Sequence, residues 1–273
     1  MAARRAVDAT AHWSAAVRAA ETLRDDALVS DPLAERLAGE VGLAWLRQRT
    51  PESVLPMVLR TRYFDDWLQA IVERGLIGQV VLPAAGFDTR AFRLAWPPGA
   101  RCFELDRPGV VGRKERLLAA AGAQPRCVRR TVRADLRGGW PQALLEAGFE
   151  RAQPSVWLLE GLFFYLPSAT IGHVLDEVTR LAAPGSRLGF DVINGAMLTS
   201  PWTRSWVEMQ AAAGAPWIGT LDDPVGFLGA RGWQATLTQA GQPDASHGRW
   251  RMPVLPTDMP GMPHDWFVTA ERL

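Results

Sequence analysis

Asp106 follows Gly86 by twenty residues. At that spacing, an acid ending the second strand of a βα unit takes the hydroxyls of a ribose. A carboxylate only accepts hydrogen bonds, and it can hold both hydroxyls of a vicinal diol. The turn carrying Gly86 reads Val-Leu-Pro-Ala-Ala-Gly-Phe-Asp-Thr-Arg from Val81 to Arg90. Its glycine lets backbone approach a ligand closely. It is not a GxGxxG turn, because it has a single glycine and Asp88 stands at the start of the following helix. An acid there is a good N-cap but repels a pyrophosphate. A nucleoside cofactor without phosphate fits better, which favours S-adenosylmethionine over NAD. Asp135 is placed to accept from an adenine amino group. Glu160-Gly161, Asp191 and Asn194 follow further along the chain.

These residues recur at regular intervals because of the elements that carry them. Apolar runs at Gln79–Leu82, Ala100–Leu105, Cys127–Val132, Ser155–Leu159 and Arg187–Val192 read as buried strands. Helical patterns at Asp88–Leu94, Val110–Ala121, Trp140–Ala147 and Ser168–Leu181 separate them. Such alternation implies a doubly wound, mostly parallel sheet, whose ligand sits beyond the carboxyl ends of the strands. Ala84, Gly86, Asp88, Glu104, Asp106, Asp135, Leu136, Glu160, Gly161, Asp191 and Asn194 all fall at such ends. Before the first strand, residues 5–40 read as helical with a break at Asp31-Pro32. A second helical zone spans 45–74, interrupted near Thr50-Pro51. After Asn194 the rhythm loosens, and two further strands are expected at Gly232–Leu237 and Trp266–Ala270, making seven. The expected organisation is one α/β domain: a helical cap (1–78), a cofactor-binding core (79–194), and acceptor-side lid segments with the last strands (195–273).

Composition removes several classes of function. The chain has 273 residues and a formal net charge of +1, too balanced for a nucleic-acid footprint. Its one lysine, Lys114, leaves little room for lysine-based covalent catalysis. Two cysteines, Cys102 and Cys127, make neither a disulfide framework nor a zinc cluster, and no metal is expected. No apolar run has transmembrane length and no signal-peptide core follows Arg4-Arg5, so the expectation is a cytoplasmic protein without membrane partners.

Read together, VVLPAAGFDTRAFRL, CFELDRPGVVGRK, RADLRGGW, PSVWLLEGLFFYLP and PGSRLGFDV resemble the leucine carboxyl methyltransferase superfamily. The resemblance is nearest its bacterial branch, with polyketide O-methyltransferases of the tetracenomycin type, and runs from about Thr10 to the C-terminus. It implies a class I, Rossmann-like methyltransferase fold, S-adenosylmethionine as cofactor and S-adenosylhomocysteine as product. It also implies site residues. An arginine before the first strand holds the methionyl carboxylate, and Arg60 is preferred over Arg62. The glycine turn falls on Ala84 and Gly86, with Ala84 departing from the usual glycine and suggesting a slightly wider turn. Glu104 and Asp106 end the second strand, Asp135-Leu136 flank adenine, and Glu160-Gly161 lie near the methionyl amino group. Arg18 or Glu21 would add a contact from the N-terminal helices.

The acceptor side is less defined. Tyr165, His247 and His264 are candidates for catalysis, none firmly assigned. Tyr165, Trp202, Trp206 and Trp217, with Arg204, are candidates for a pocket that would suit a flat aromatic acceptor or polyketide acid. A carboxylate needs no base at neutral pH whereas a phenol gains from one. With no convincing base, a carboxyl acceptor is mildly favoured, oriented by Arg204, Arg249 or Arg251. The alternatives are methylation of a protein C-terminus, a nucleotide-dependent oxidoreductase, or a binding module without catalysis. Oligomeric state is not readable.

Overall fold

The computed structural model describes residues 2–75, 77–257, 259 and 261–273, with side chains from residue 9 onward. Seven strands form one sheet: β1 (Gln79–Pro83), β2 (Arg101–Asp106), β3 (Val128–Arg133), β4 (Val156–Leu159), β5 (Arg187–Ile193), β6 (Trp233–Gln239) and β7 (Asp265–Arg272). Their order is β3-β2-β1-β4-β5-β7-β6. The first five run parallel, and β7 is antiparallel to both its neighbours. The expected doubly wound sheet is present, and its order reverses between β1 and β4, the switch point at which such sheets bind ligands.

Alternation along each strand sends neighbouring side chains to opposite faces. Val80, Leu82 and Cys102 join the core under α1 (Ala2–Thr22), α2 (Ala34–Leu46), α3 (Pro51–Val72), α4 (Arg90–Arg93) and α5 (Pro108–Ala120). Val81, Phe103 and Leu105 join the other core, against α6 (Trp140–Glu146) and α7 (Ser168–Leu181). Burial on both faces is why β1 and β4 read as unbroken apolar runs.

The cap departs from the sequence reading in one respect. Helix α1 ends at Thr22, and a loop leads to α2. The loop is held by acids that the helical pattern conceals. Asp31, buried, accepts from Arg18 (2.8 Å) and Thr89 (2.6 Å), while Glu21 accepts the Leu28 N–H (2.7 Å). Helix α3 starts where Thr50 and Ser53 cap each other. Beyond β5, the stretch that looks irregular in sequence forms α8 (Gly195–Thr199), α9 (Arg204–Ala212), α10 (Pro224–Gly229) and, after β6, α11 (Pro243–Ser246). Among the described residues, no helix is long and apolar enough to cross a membrane.

Candidate active site

A cavity of about 470 Å³ opens at the carboxyl ends of β1, β2 and β4. Helices α1 and α3 form one wall, and α9 with the chain to Trp217 covers it. The strand-end residues line one half: Ala84, Gly86, Asp88, Asp106, Asp135, Leu136, Glu160 and Gly161.

The first turn is built as a cradle. Ala84 and Gly86 both take positive φ, 53° and 47°. Ala84 thus holds a conformation that glycine adopts freely and alanine does not, so the turn keeps its shape at the cost of strain. The Gly86 N–H donates to Asp106 Oδ2 (2.8 Å) and the Arg107 N–H to Oδ1 (2.7 Å). Both oxygens are therefore oriented by backbone. Burial raises the Asp106 pKa despite those donors. Asp135 is clasped by Arg137 (2.5 and 2.9 Å), whose hydrogen bonds outweigh partial burial and hold the carboxyl at about 2. Leu136 presents an apolar wall beside it.

At the other end lies an ionic network. Arg60 donates to Glu160 Oε1 (3.0 Å) and Asp191 Oδ2 (2.8 Å). Arg90 donates to Glu160 Oε2 (2.6 Å) and Asp65 (2.7 Å) and contacts Asp88. Arg93 closes the set on Asp65. Three guanidiniums thus meet four carboxylates. Burial works against the charge on Glu160, but Arg90 and Arg60 together overcome it and hold the carboxyl at about 2. Gly161, at φ 67°, donates its N–H to Asp191 (2.6 Å), and a Cβ there would press on Arg60 at 3.1 Å. Arg18 also lines the cavity, fixed by Asp31 and the Phe87 carbonyl (2.6 Å).

The second half is more apolar. Trp13 and Trp45 stack at 5.0 Å, and Met57, Tyr165, Trp206, Met209 and Trp217 complete it. Burial pushes the Tyr165 phenol up, so it keeps its proton. Trp217 lies near enough to that hydroxyl to pull the other way without a well-formed hydrogen bond.

Several expected site residues are elsewhere. Glu104, two residues before Asp106 on the same strand face, is covered by α5 and β3 and accepts from Lys114 (2.6 Å) and Arg129 (2.7 Å), away from the cavity. Arg62 faces outward, to Asp66 and the Leu28 carbonyl. Trp202 is 71% exposed in the turn before α9 and Arg204 is exposed at its start, while Trp206, Met209 and Gln210 of α9 line the cavity. His247 sits 3.8 Å from Asp66, and His264 stacks on Trp266 and meets Gln239. Neither histidine lines the cavity. Glu21 and Arg249 pair with each other at 2.7 Å.

Arg90 and Asp265 are among the lining residues that escape the sequence reading. Arg90 looks like an ordinary helix arginine, and apart from Asp88 its carboxylate partners Asp65 and Glu160 lie 25 and 70 residues away. Asp265 begins β7. Because β7 is antiparallel, its first residue, not the one after it, reaches the carboxyl edge, beside Ile193 of β5. The usable signal was an acid immediately before a terminal apolar strand.

A family model for leucine carboxyl methyltransferase matches residues 11–179. A protein of Mycolicibacterium smegmatis, described as an inferred S-adenosyl-L-methionine-dependent methyltransferase, is 38% identical over 263 residues, covering 89% of this chain and 88% of its own. A Frankia alni protein with the same description is 41% identical, covering 88% and 87%. A crystal structure of an inferred methyltransferase from Thermobifida fusca superposes with a TM-score of 0.57 at 18% identity, covering 95% of this chain and 94% of that one, a likeness of fold. The chain belongs to the leucine carboxyl methyltransferase family.

Proposed function

We propose that this protein is an S-adenosylmethionine-dependent O-methyltransferase whose acceptor is a carboxyl or phenolic hydroxyl group on a small molecule, such as an aromatic polyketide. The observation that carries the reading is the oriented Asp106 carboxylate, facing a cavity whose far end is lined by the Arg60–Glu160–Arg90 ion pairs. Asp106 retains lone pairs for a ribose diol. Asp88 at the first turn is as unsuited to a pyrophosphate as the sequence suggests. The residues present therefore fit this cofactor, which when bound supplies an electrophilic methyl group.

The Ala84–Gly86 turn and Asp106 hold the nucleoside, with Asp135 and Leu136 beside the adenine. Arg60, Glu160, Gly161 and Arg18 hold the methionyl end. Tyr165, Trp206 and Trp217 seat the acceptor and exclude water, since alignment and desolvation are the main demands of this displacement. The roof made by α9 and Trp217 favours a small acceptor over a protein C-terminus.

The test is a thermal melt with S-adenosylhomocysteine, with NAD as the control. A ligand at about a hundred times its Kd adds about 2.7 kcal/mol of stability. In a domain this size, that is a rise of several degrees. Asp106→Ala is expected to abolish the rise. A rise with NAD alone would refute the reading.

A further inference from the structure

Asp265 lines the cavity, and none of the roles above employs it. The β5–β7 register pairs Asp191 with Phe267 and Ile193 with Asp265. Asp265 and Asp191 are therefore diagonal neighbours on the sheet face that α3 covers. From α3 comes Arg60, whose ion pairs go to Glu160 and Asp191. From the chain after β4 come Glu160 and Tyr165. His264, next in sequence, is turned to Gln239 and Trp266. Among the described residues, Asp265 Oδ1 is buried with no hydrogen-bond partner. Such an oxygen is costly until a proton or an incoming donor satisfies it.

We propose that Asp265 is the general base of this site, and that the methyl acceptor is a hydroxyl that must lose a proton, a phenol or enol, rather than a carboxylate. This rests on the methyltransferase reading above. Burial first, then the charge of Asp191, push the Asp265 carboxyl up to about 8 against the pull of Arg60. That lies between an ordinary carboxyl and a phenol near 10, where a base works well around neutrality. Tyr165, raised by burial, is a poor competitor, and His264 does not line the cavity. A carboxylate acceptor would also enter beside Glu160, Asp191 and Asp265. In the step, the acceptor O–H proton passes to the Asp265 carboxylate and the oxygen's electron pair forms the bond to the methyl carbon. The S–CH₃ pair stays on sulfur as a neutral thioether, and the proton on Asp265 is then lost to water.

The test compares the full-length protein with Asp265→Asn. Calorimetry gives the affinities for S-adenosylmethionine, a sulfonium, and S-adenosylhomocysteine, a neutral thioether, from about pH 6 to about pH 9. An ionised carboxylate near the methyl group favours the sulfonium. The wild-type preference for it is expected to rise about tenfold with pH, the change carried by one pKa unit of coupling, and to stay flat in the variant. The same pH dependence in both proteins would overturn the proposal. Unchanged S-adenosylhomocysteine affinity certifies the folded variant, and Asp265→Ser replaces it if Asn disturbs the fold. Methyl transfer to 2-naphthol by the wild type alone would support the proposal. Equal transfer to 2-naphthoic acid by both proteins would overturn it. Failure of the wild type to bind either ligand would instead refute the methyltransferase reading, and the proposal with it.

Discussion

Around Glu160, the charged groups have found partners within the chain: Arg60, Arg90 and Arg93 engage Glu160, Asp191, Asp65 and Asp88. Elsewhere in the lining of the same cavity, Trp45 Nε1, Arg49 Nε, Gln210 Oε1 and Asp265 Oδ1 are buried without partners among the described residues. A saturated network is rigid and preset for one ligand. Unsatisfied atoms await groups that a bound molecule brings. The two halves differ, then, in whether the protein or the ligand completes the hydrogen bonding.

The sharpest test of that contrast is Arg90→Leu. It leaves Asp65, Asp88 and Glu160 short of a counter-charge, and breaking a buried ion pair from one side costs about 3–5 kcal/mol. Urea unfolding should show a loss of that size. A loss below about 1 kcal/mol, the range of exposed pairs, would mean that the network is not the rigid half.

Asp265→Asn should move the other way. The folded carboxyl lies at about 8 against an ordinary 3.8, so the folded state holds a proton that the unfolded chain releases. Stability on this account is greatest below about pH 4 and falls until about pH 8. Asparagine removes the fall. The variant should match the wild type at acid pH and exceed it by roughly 3 kcal/mol near pH 8, allowing for screening in the cavity. A constant difference across pH would break the contrast.

Ala84→Gly carries the smallest effect. Relief of a left-handed alanine, about 1–2 kcal/mol, is largely offset by glycine's chain entropy, about 0.5–1 kcal/mol. A net gain under about 1 kcal/mol is expected by chemical denaturation, with cofactor-half geometry unchanged. Destabilisation would mean that the strain at φ 53° is not real.

What could be read from the chain followed from periodicity. Seven strands, and the positions of Gly86, Asp106, Asp135 and Glu160 just past them, come from runs of apolar residues ended by turns, and in parallel strands such ends share one edge. The rule fails where its geometry does. Glu104 shares the strand face of Asp106, but Lys114 on α5 covers it. Asp265 opens its strand rather than ending it, because that strand runs backwards. Trp202 and Trp206 look equivalent in an irregular stretch, yet Trp202 stands in the exposed turn before α9 and Trp206 on the helix, lining the cavity.

By itself, then, the sequence determined the doubly wound frame, the Asp106 carboxylate held against the first turn and the single-glycine form of that turn, because each depends on contacts within neighbouring βα units. Tertiary structure alone decided that Arg60 bridges Glu160 and Asp191, that Arg90 joins Glu160 to Asp65, and that Asp265 stands beside Asp191. Those facts depend on helices α3 and α4 and strand β7 meeting across as many as 131 residues of chain. Buried charge is matched through space, and no local pattern records it.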